Sequence, residues 1–326
     1  MRIDAGYFGP PAGVAPAAHA ARRAGIAGLW VTETGHDPFL ASLLASQAEP
    51  DLEVGTAIAV GFARSPMTLA QTAWDLAALS RGKFHLGLGS QVKAHVTRRF
   101  SMPWGKPVLQ MRELILALRT IWKSFETGEK LDFQGEHYKL SLLTPFFTPE
   151  RHEFSKIPVG LAAVGPQMTH LAGELADFLV GHTFTNRTYL ESVTMPAVLA
   201  GLAAGSRERS ALTLVGSVFV ITGDQQGKLA TEQAVRRQIA FYGSTPAYAP
   251  VLEAIGFGEL AVRLHKLSRE GQWEEMGRLI PDEVLHQFSL RAEPDELVAA
   301  VEERFGGLYD RVMLSLTPDQ LSWLKP

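Results

Sequence analysis

The sequence predicts an α/β chain closed into a (β/α)8 TIM barrel, a single domain over residues 1–326 with insertions after the fourth and seventh strands. Three observations carry that expectation. Eight short apolar runs with the composition of buried strands alternate with segments of helical periodicity. At 326 residues, 46% hydrophobic and 20% charged, the chain is long enough for eight such units. No shift in composition marks a second domain.

The units follow in order. A strand over 3–8 is stopped by Gly9, Pro10 and Pro11, and an alanine-rich helix over 16–24 ends at Gly25. Leu29, Trp30 and Val31 form the second strand; Asp37 and Pro38 then read as N-cap and first-turn proline of a helix with Phe39, Leu43 and Leu44 inward. The third strand occupies 52–60, and Ser65 with Pro66 starts a helix carrying Leu69, Ala73, Leu76 and Leu79 on one face until Gly82. The fourth strand, 84–88, ends on Gly87 and Gly89. Its helix, 107–125, aligns Met111, Ile115, Leu118 and Trp122.

An interruption follows. LDFQGEHYKL alternates and turns at Gln134 and Gly135, which predicts a hairpin insertion at about 130–141. Strand five is placed at 157–163 with a helix over 166–173, strand six at 177–183 with a helix at about 187–202 that Pro196 should bend, and strand seven at 212–221. Residues at about 224–290 are mostly helical and too long for a plain connection. A last helix over 294–305 precedes strand eight at 311–316.

Composition narrows the function. A net charge of −3 argues against a nucleic-acid partner, because such domains carry a clustered basic excess. The absence of cysteine excludes a disulfide framework, a thiolate metal site and a cysteine nucleophile, and it fits a reducing cytoplasm. Met1 leads straight into RIDAGYF with no signal-peptide pattern, and no apolar run has membrane-spanning length. The expectation is a cytoplasmic protein that takes a small molecule, with no nucleic acid, membrane or metal.

In a barrel of this kind the site lies at the C-terminal ends of the strands. That rule selects Tyr7 and Phe8, then 33–37, 56–60, 87–91, 162–167, 182–186 and 221–224. This rim is apolar, rich in glycine and short of charge, and so suits a flat aromatic ligand better than a metal. The loop after strand four adds Lys93, His95, Arg98, Arg99 and Lys106, more positive charge than a connector needs. It is not a dinucleotide fingerprint, because no helix opens directly behind the glycines.

The runs RGKFHLGLGSQ, VGTAIAVGFARSPMTLAQ and IPVGLAAVGPQMTHLAGELAD resemble corresponding segments of the bacterial luciferase-like flavin and deazaflavin oxidoreductases, in the same order and over nearly the whole chain. HDPF after strand two and SQVKAH after strand four look closest to members that use the deazaflavin coenzyme F420, similar to methylenetetrahydromethanopterin reductase. The resemblance implies hydride transfer between F420 and a small organic substrate, in a protein that is commonly a homodimer. An FMN-dependent monooxygenase using reduced flavin and O₂ is the alternative, and a non-catalytic barrel that keeps or has lost the cofactor site is a second.

By the same resemblance, Thr56, Ala57 and Ile58 form a bulge with a non-prolyl cis peptide at Ala57–Ile58 that supports one face of the ring; the plain reading of this run is buried strand. Gly89, Ser90 and Gln91 match one cofactor loop, and Ala162, Ala163, Val164, Gly165, Pro166 and Gln167 match the other, where backbone N–H groups and a helix N-terminus can hold phosphate. Lys93, Arg98 and Arg99 are candidates for the anionic cofactor tail, or else a solvated loop. Glu33 matches a carboxylate that approaches the ring. The next position, a histidine in some relatives, is Thr34 here, which leaves His36 and His182 as candidates to replace it. Phe241, Tyr242 and Tyr248 are expected to form either a wall that sets substrate choice or packing on the barrel exterior.

Overall fold

The computed structural model describes residues 1–324. Eight parallel strands follow one another as β1 (Arg2–Tyr7), β2 (Gly28–Val31), β3 (Glu53–Thr56), β4 (Phe84–Gly89), β5 (Val159–Ala163), β6 (Phe178–Gly181), β7 (Thr213–Ile221) and β8 (Arg311–Leu314). Each pairs with the next, and β8 returns to β1 with Arg311 opposite Arg2, so the barrel is closed and has no free edge.

The helices form where local chemistry starts and stops them. Helix α1 (Val14–Arg23) is followed by α2 (Pro38–Ala48), whose N-cap Asp37 accepts a hydrogen bond from the Phe39 amide, and by α3 (Pro66–Leu79), whose N-cap Ser65 accepts from the Thr68 amide. Gly82 after α3 lies at φ +79°, a conformation that side-chain-bearing residues resist. Helices α4 (Pro107–Thr127) and α5 (Pro166–Leu175) cover β4 and β5. Before α6 (Met195–Ala204) the chain makes one turn at Arg187–Tyr189 and a wide π-type turn at Leu190–Thr194. Pro196 has no N–H for the carbonyl four residues back, and the expected bend takes the form of that widened turn.

Two expectations about packing are corrected. Leu44 and Leu79 are 45% and 52% exposed. Helix α2 instead buries Ala41, Ser42 and Ala45, small residues that bring its axis close to the barrel. The third strand is also not continuous over 52–60: it stops at Thr56 and resumes as Ala59–Val60 beside Leu88 and Gly89.

The barrel interior is packed by large rings set against glycines. Trp30, Phe178, Val180, Val215 and Met313 form the inner cluster. A Cβ on Gly160 would lie 2.0 Å from the Phe178 ring and one on Gly55 2.5 Å from the Trp30 ring, so these strands leave the space that the two aromatics occupy. Beneath them Arg311 donates to Asp4 at 2.6 and 2.8 Å, and Trp30 Nε1 donates to Asp4 at 2.8 Å. Arg311 also meets Glu53, and His85 lies 3.7 Å from the same carboxylate.

Both insertions are present. The hairpin pairs Phe133–Gln134 with Lys139–Leu140, and Glu113 of α4 fastens it by accepting the amides of Glu136, His137 and Tyr138 at 2.9, 2.7 and 3.2 Å. The second insertion holds α7 (Gln225–Gly243), α8 (Gly258–Arg269) and shorter helices around a core of its own, which joins Phe184, Phe219 and Ile221 to Ile239, Leu264 and Phe288. It ends in a three-residue strand, Ser289–Arg291, beside β7, at the end of a stretch expected to be mostly helical. Helix α9 (Leu297–Phe305) leads to β8. Among the described residues no helix is long and apolar enough to cross a membrane.

Candidate active site at the barrel mouth

Above the Trp30 and Phe178 floor the inward positions become small. Ala57, Ile58 and Ala162 pack against the floor, and Gly6 and Gly89 continue the inner faces of β1 and β4. Small apolar positions thus line the C-terminal ends of these strands, the recess where a ligand would lie if it binds at the mouth as in other barrels of this kind.

One side of the recess is the break in β3. The Ala57–Ile58 peptide bond is cis, where the resemblance places one. Its surroundings are hydrogen-bonded throughout: Ala57 N–H donates to Val31 O at 2.8 Å, Thr32 Oγ1 to Ala57 O at 2.8 Å and Glu33 N–H to Ile58 O at 3.2 Å. Thr56 Oγ1 bridges to β4, donating to Gly87 O at 2.7 Å.

Glu33, 8% exposed, is spent on this scaffold. Its carboxylate accepts the Val60 amide at 2.7 Å and both Arg64 Nη atoms at 2.7 and 3.1 Å. Arg64 also donates to Asp37 at 2.8 Å and lies over the Phe39 ring at 5.2 Å. The sequence reading passed over Arg64, although a lone cation in the apolar run VGTAIAVGFARSP was a signal that a carboxylate waits for it.

After β4, Gln91 adopts φ +57° and its side chain accepts the Val92 amide at 3.0 Å. The basic loop then makes a wide turn at His95–Arg99. Its charges divide. Arg99 donates to Thr34 O at 2.5 Å and tethers the loop across the mouth, and Lys106 pairs with Glu136 at 3.2 Å. Lys93 and Arg98 have no ion-pair partner among the described residues, and they are the cations left for an anion.

After β5, Ala162, Ala163 and Val164 lead to Gly165, the N-cap of α5, where no side chain caps the helix amides. A Cβ on Gly165 would meet nothing within 4 Å, so the backbone here is open to approach. Pro166 and Gln167 border an open groove of about 420 Å³ shared with Val108, His170 and Ala197. Val164 is fixed by the Tyr189 hydroxyl, which donates to its carbonyl at 3.1 Å.

The opposite side of the mouth is aromatic. Alternation along β6 sends Phe178, Val180 and then His182 inward. His182 Nδ1 accepts the Phe184 amide at 2.9 Å, which leaves the proton of the neutral ring on Nε2. Burial lowers its pKa from 6.5 to about 4. Tyr248 packs on it at 5.0 Å and Tyr242 meets it edge-on at 4.7 Å. Phe241 packs edge-on behind Tyr242 at 5.4 Å and, 54% exposed, extends outward to Trp273, with no contact to His182. His36 is exposed in the loop after β2, away from these contacts. Of the three acid–base candidates, then, only His182 presents a free polar hydrogen to the recess. Among the described residues no group of three or more His, Asp or Glu side chains could hold a metal ion.

Comparison with known proteins gives the family and the fold. A family model described as luciferase-like monooxygenase matches residues 4–311. An uncharacterized protein of Mycobacterium tuberculosis is 46% identical, with 96% of this chain and 92% of the relative covered. The 5,10-methylenetetrahydromethanopterin reductase of Archaeoglobus fulgidus is 26% identical over 84% of this chain and 80% of its own length. The solved structure of the coenzyme F420-dependent tetrahydromethanopterin reductase from Methanopyrus kandleri superposes with a TM-score of 0.81 at 18% identity, covering 99% of this chain and 97% of that one.

Proposed function

The chain belongs to the luciferase-like monooxygenase family, and from that premise we propose that it is a coenzyme F420-dependent oxidoreductase acting on a small organic substrate. The observation that carries this reading is the division of the mouth: a small-residue recess with uncapped helix amides and two unpaired cations on one side, and an aromatic wall with one neutral donor on the other. A tricyclic ring with a phosphorylated, polyanionic tail fits the first side. The similarity to the archaeal reductase supports the choice of F420, and cytoplasmic location and a homodimer belong to the same proposal as implications of the family.

When bound, the deazaflavin supplies or accepts hydride at C5. In this reading the chain's residues do the rest. Thr56, Ala57 and Ile58 back one face of the ring, held by Thr32, Glu33 and Arg64. Gly89, Ser90 and Gln91 let the backbone of β4 come close. The α5 amides behind Gly165, Pro166 and Gln167 face the phosphate, and Lys93 and Arg98 meet the tail. His182 presents Nε2–H to the oxygen of the substrate, and the apolar recess excludes water.

A fluorescence titration tests the proposal. F420 fluorescence is expected to be quenched with a dissociation constant on the order of micromolar, and the double substitution Lys93→Glu with Arg98→Glu is expected to weaken it at least about tenfold at low salt. Tight FMN binding with no F420 binding would replace this reading by the FMN-dependent monooxygenase, and binding of neither would leave a non-catalytic barrel.

A further inference from the structure

The aromatic wall bears on what the second half of the mouth can hold. Three rings that each carry a polar hydrogen pack together there, those of His182, Tyr242 and Tyr248, and the two tyrosine rings lie 6.2 Å apart. His182 Nδ1 is already occupied by the Phe184 amide. Neither tyrosine hydroxyl is among the polar atoms sealed away without a partner, so both stay open to a ligand. Burial raises both phenol pKa values, and Tyr242 adds to the shift of Tyr248, which keeps both phenols neutral.

Three cations on this side are paired elsewhere. On the segments leaving β6 and β7, Arg187 pairs with Glu191 at 2.7 Å and Lys228 pairs with Glu293. Arg291, on the short strand beside β7, pairs with Glu232 at 2.8 Å. Thr183, just past β6, and Ser217 of β7 bond to each other at 2.8 Å and are neutral too. Arg237 and Arg263 of the insertion form no ion pair among the described residues, but neither is among the ring contacts of this wall. A phosphate or carboxylate set against the three rings would therefore lose its water to neutral groups, whereas a carbonyl or hydroxyl oxygen would find neutral donors on an apolar bed.

We infer that the wall formed by His182, Tyr242 and Tyr248 is the binding site for an uncharged, oxygen-bearing substrate with an apolar body, a ketone or alcohol as opposed to a phosphorylated or carboxylated compound. The inference rests on the mouth being the active site and specifies its substrate class. It needs no bound cofactor to be examined, because the three rings are held by contacts within the chain.

Three probes of similar shape separate the possibilities: cyclohexanone, cyclohexanecarboxylate and cyclohexyl phosphate, titrated against the purified protein by ligand-observed NMR. Cyclohexanone is expected to bind at least about tenfold more tightly than either anion. The double substitution Tyr242→Phe with Tyr248→Phe keeps the rings and removes the hydroxyls, and it is expected to weaken cyclohexanone at least about fivefold; His182→Phe tests the third donor in the same way. Thermal melts check that each variant remains folded. Equal or tighter binding of either anion, or unchanged ketone binding in folded variants, overturns the inference. F420 quenching in the same samples separates the two readings: quenching without ketone selectivity removes the substrate class alone, and ketone selectivity without quenching removes the cofactor alone.

Discussion

Truncating Arg64 leaves the Glu33 carboxylate, 5% exposed at its side chain, with one amide as its remaining partner. Breaking a buried ion pair from one side costs more than the pair itself contributes, because the surviving charge stays desolvated. Arg64→Ala is expected to lower stability by about 3–5 kcal/mol in urea denaturation. Arg64→Lys should recover only part of that, since a single ammonium cannot reproduce the fork that reaches both Glu33 oxygens and Asp37. Wild-type stability in Arg64→Ala would remove the ion pair from the account of the β3 break. The contrast with the helix caps explains what was legible at this scale. Asp37 and Ser65 cap amides two and three residues away, and the sequence announces both. Glu33 could be placed at the mouth by the strand rule, but its partner lies 31 residues further along, and no local pattern names it. The same holds for His182, whose position was readable and whose tyrosine neighbours come from the far insertion.

Among the elements, the hairpin was readable from its alternation, but what holds it was not. A two-stranded ribbon with two residues per strand is unstable alone. It persists because one carboxylate on α4 collects three of its amides. Glu113→Ala is expected to cost about 1–3 kcal/mol and to accelerate amide exchange at 136–138 more than elsewhere, as measured by hydrogen exchange. Uniform exchange rates across the chain would show that the hairpin has other anchors. Helix faces were misjudged at Leu44 and Leu79 because reading inward positions from the largest side chains fails where a helix approaches through alanine and serine. The strand at Ser289–Arg291 is three residues long, too short to carry a period. The stop in β3 is invisible in hydropathy, since the run is apolar on both sides of it.

For the molecule as a whole, the eightfold alternation made the barrel legible, whereas the separate core of the second insertion depends on contacts no periodicity encodes. Two histidines set its response to acid. His85, beneath the Trp30 and Phe178 rings, and His182, at the mouth, both have their pKa lowered by burial to about 4 from 6.5. Between those values the unfolded chain binds more protons than the folded one, so stability rises with pH through that window and is lost as pH falls through it. Each histidine contributes at most on the order of 3 kcal/mol. In a proton NMR titration both rings are expected to remain neutral from pH 8 to 5; a midpoint near 6.5 for either would show that it is not shielded as described.

The barrel closes through Arg311 on Asp4, 307 residues apart in the chain. During synthesis, therefore, the first strand waits beside β2 with Asp4 held by Trp30 alone until β8 has left the ribosome. Fragments that end before β8 are left with an open seam and, at its base, a carboxylate without its cation, and are expected to engage chaperones more than the chain that includes β8.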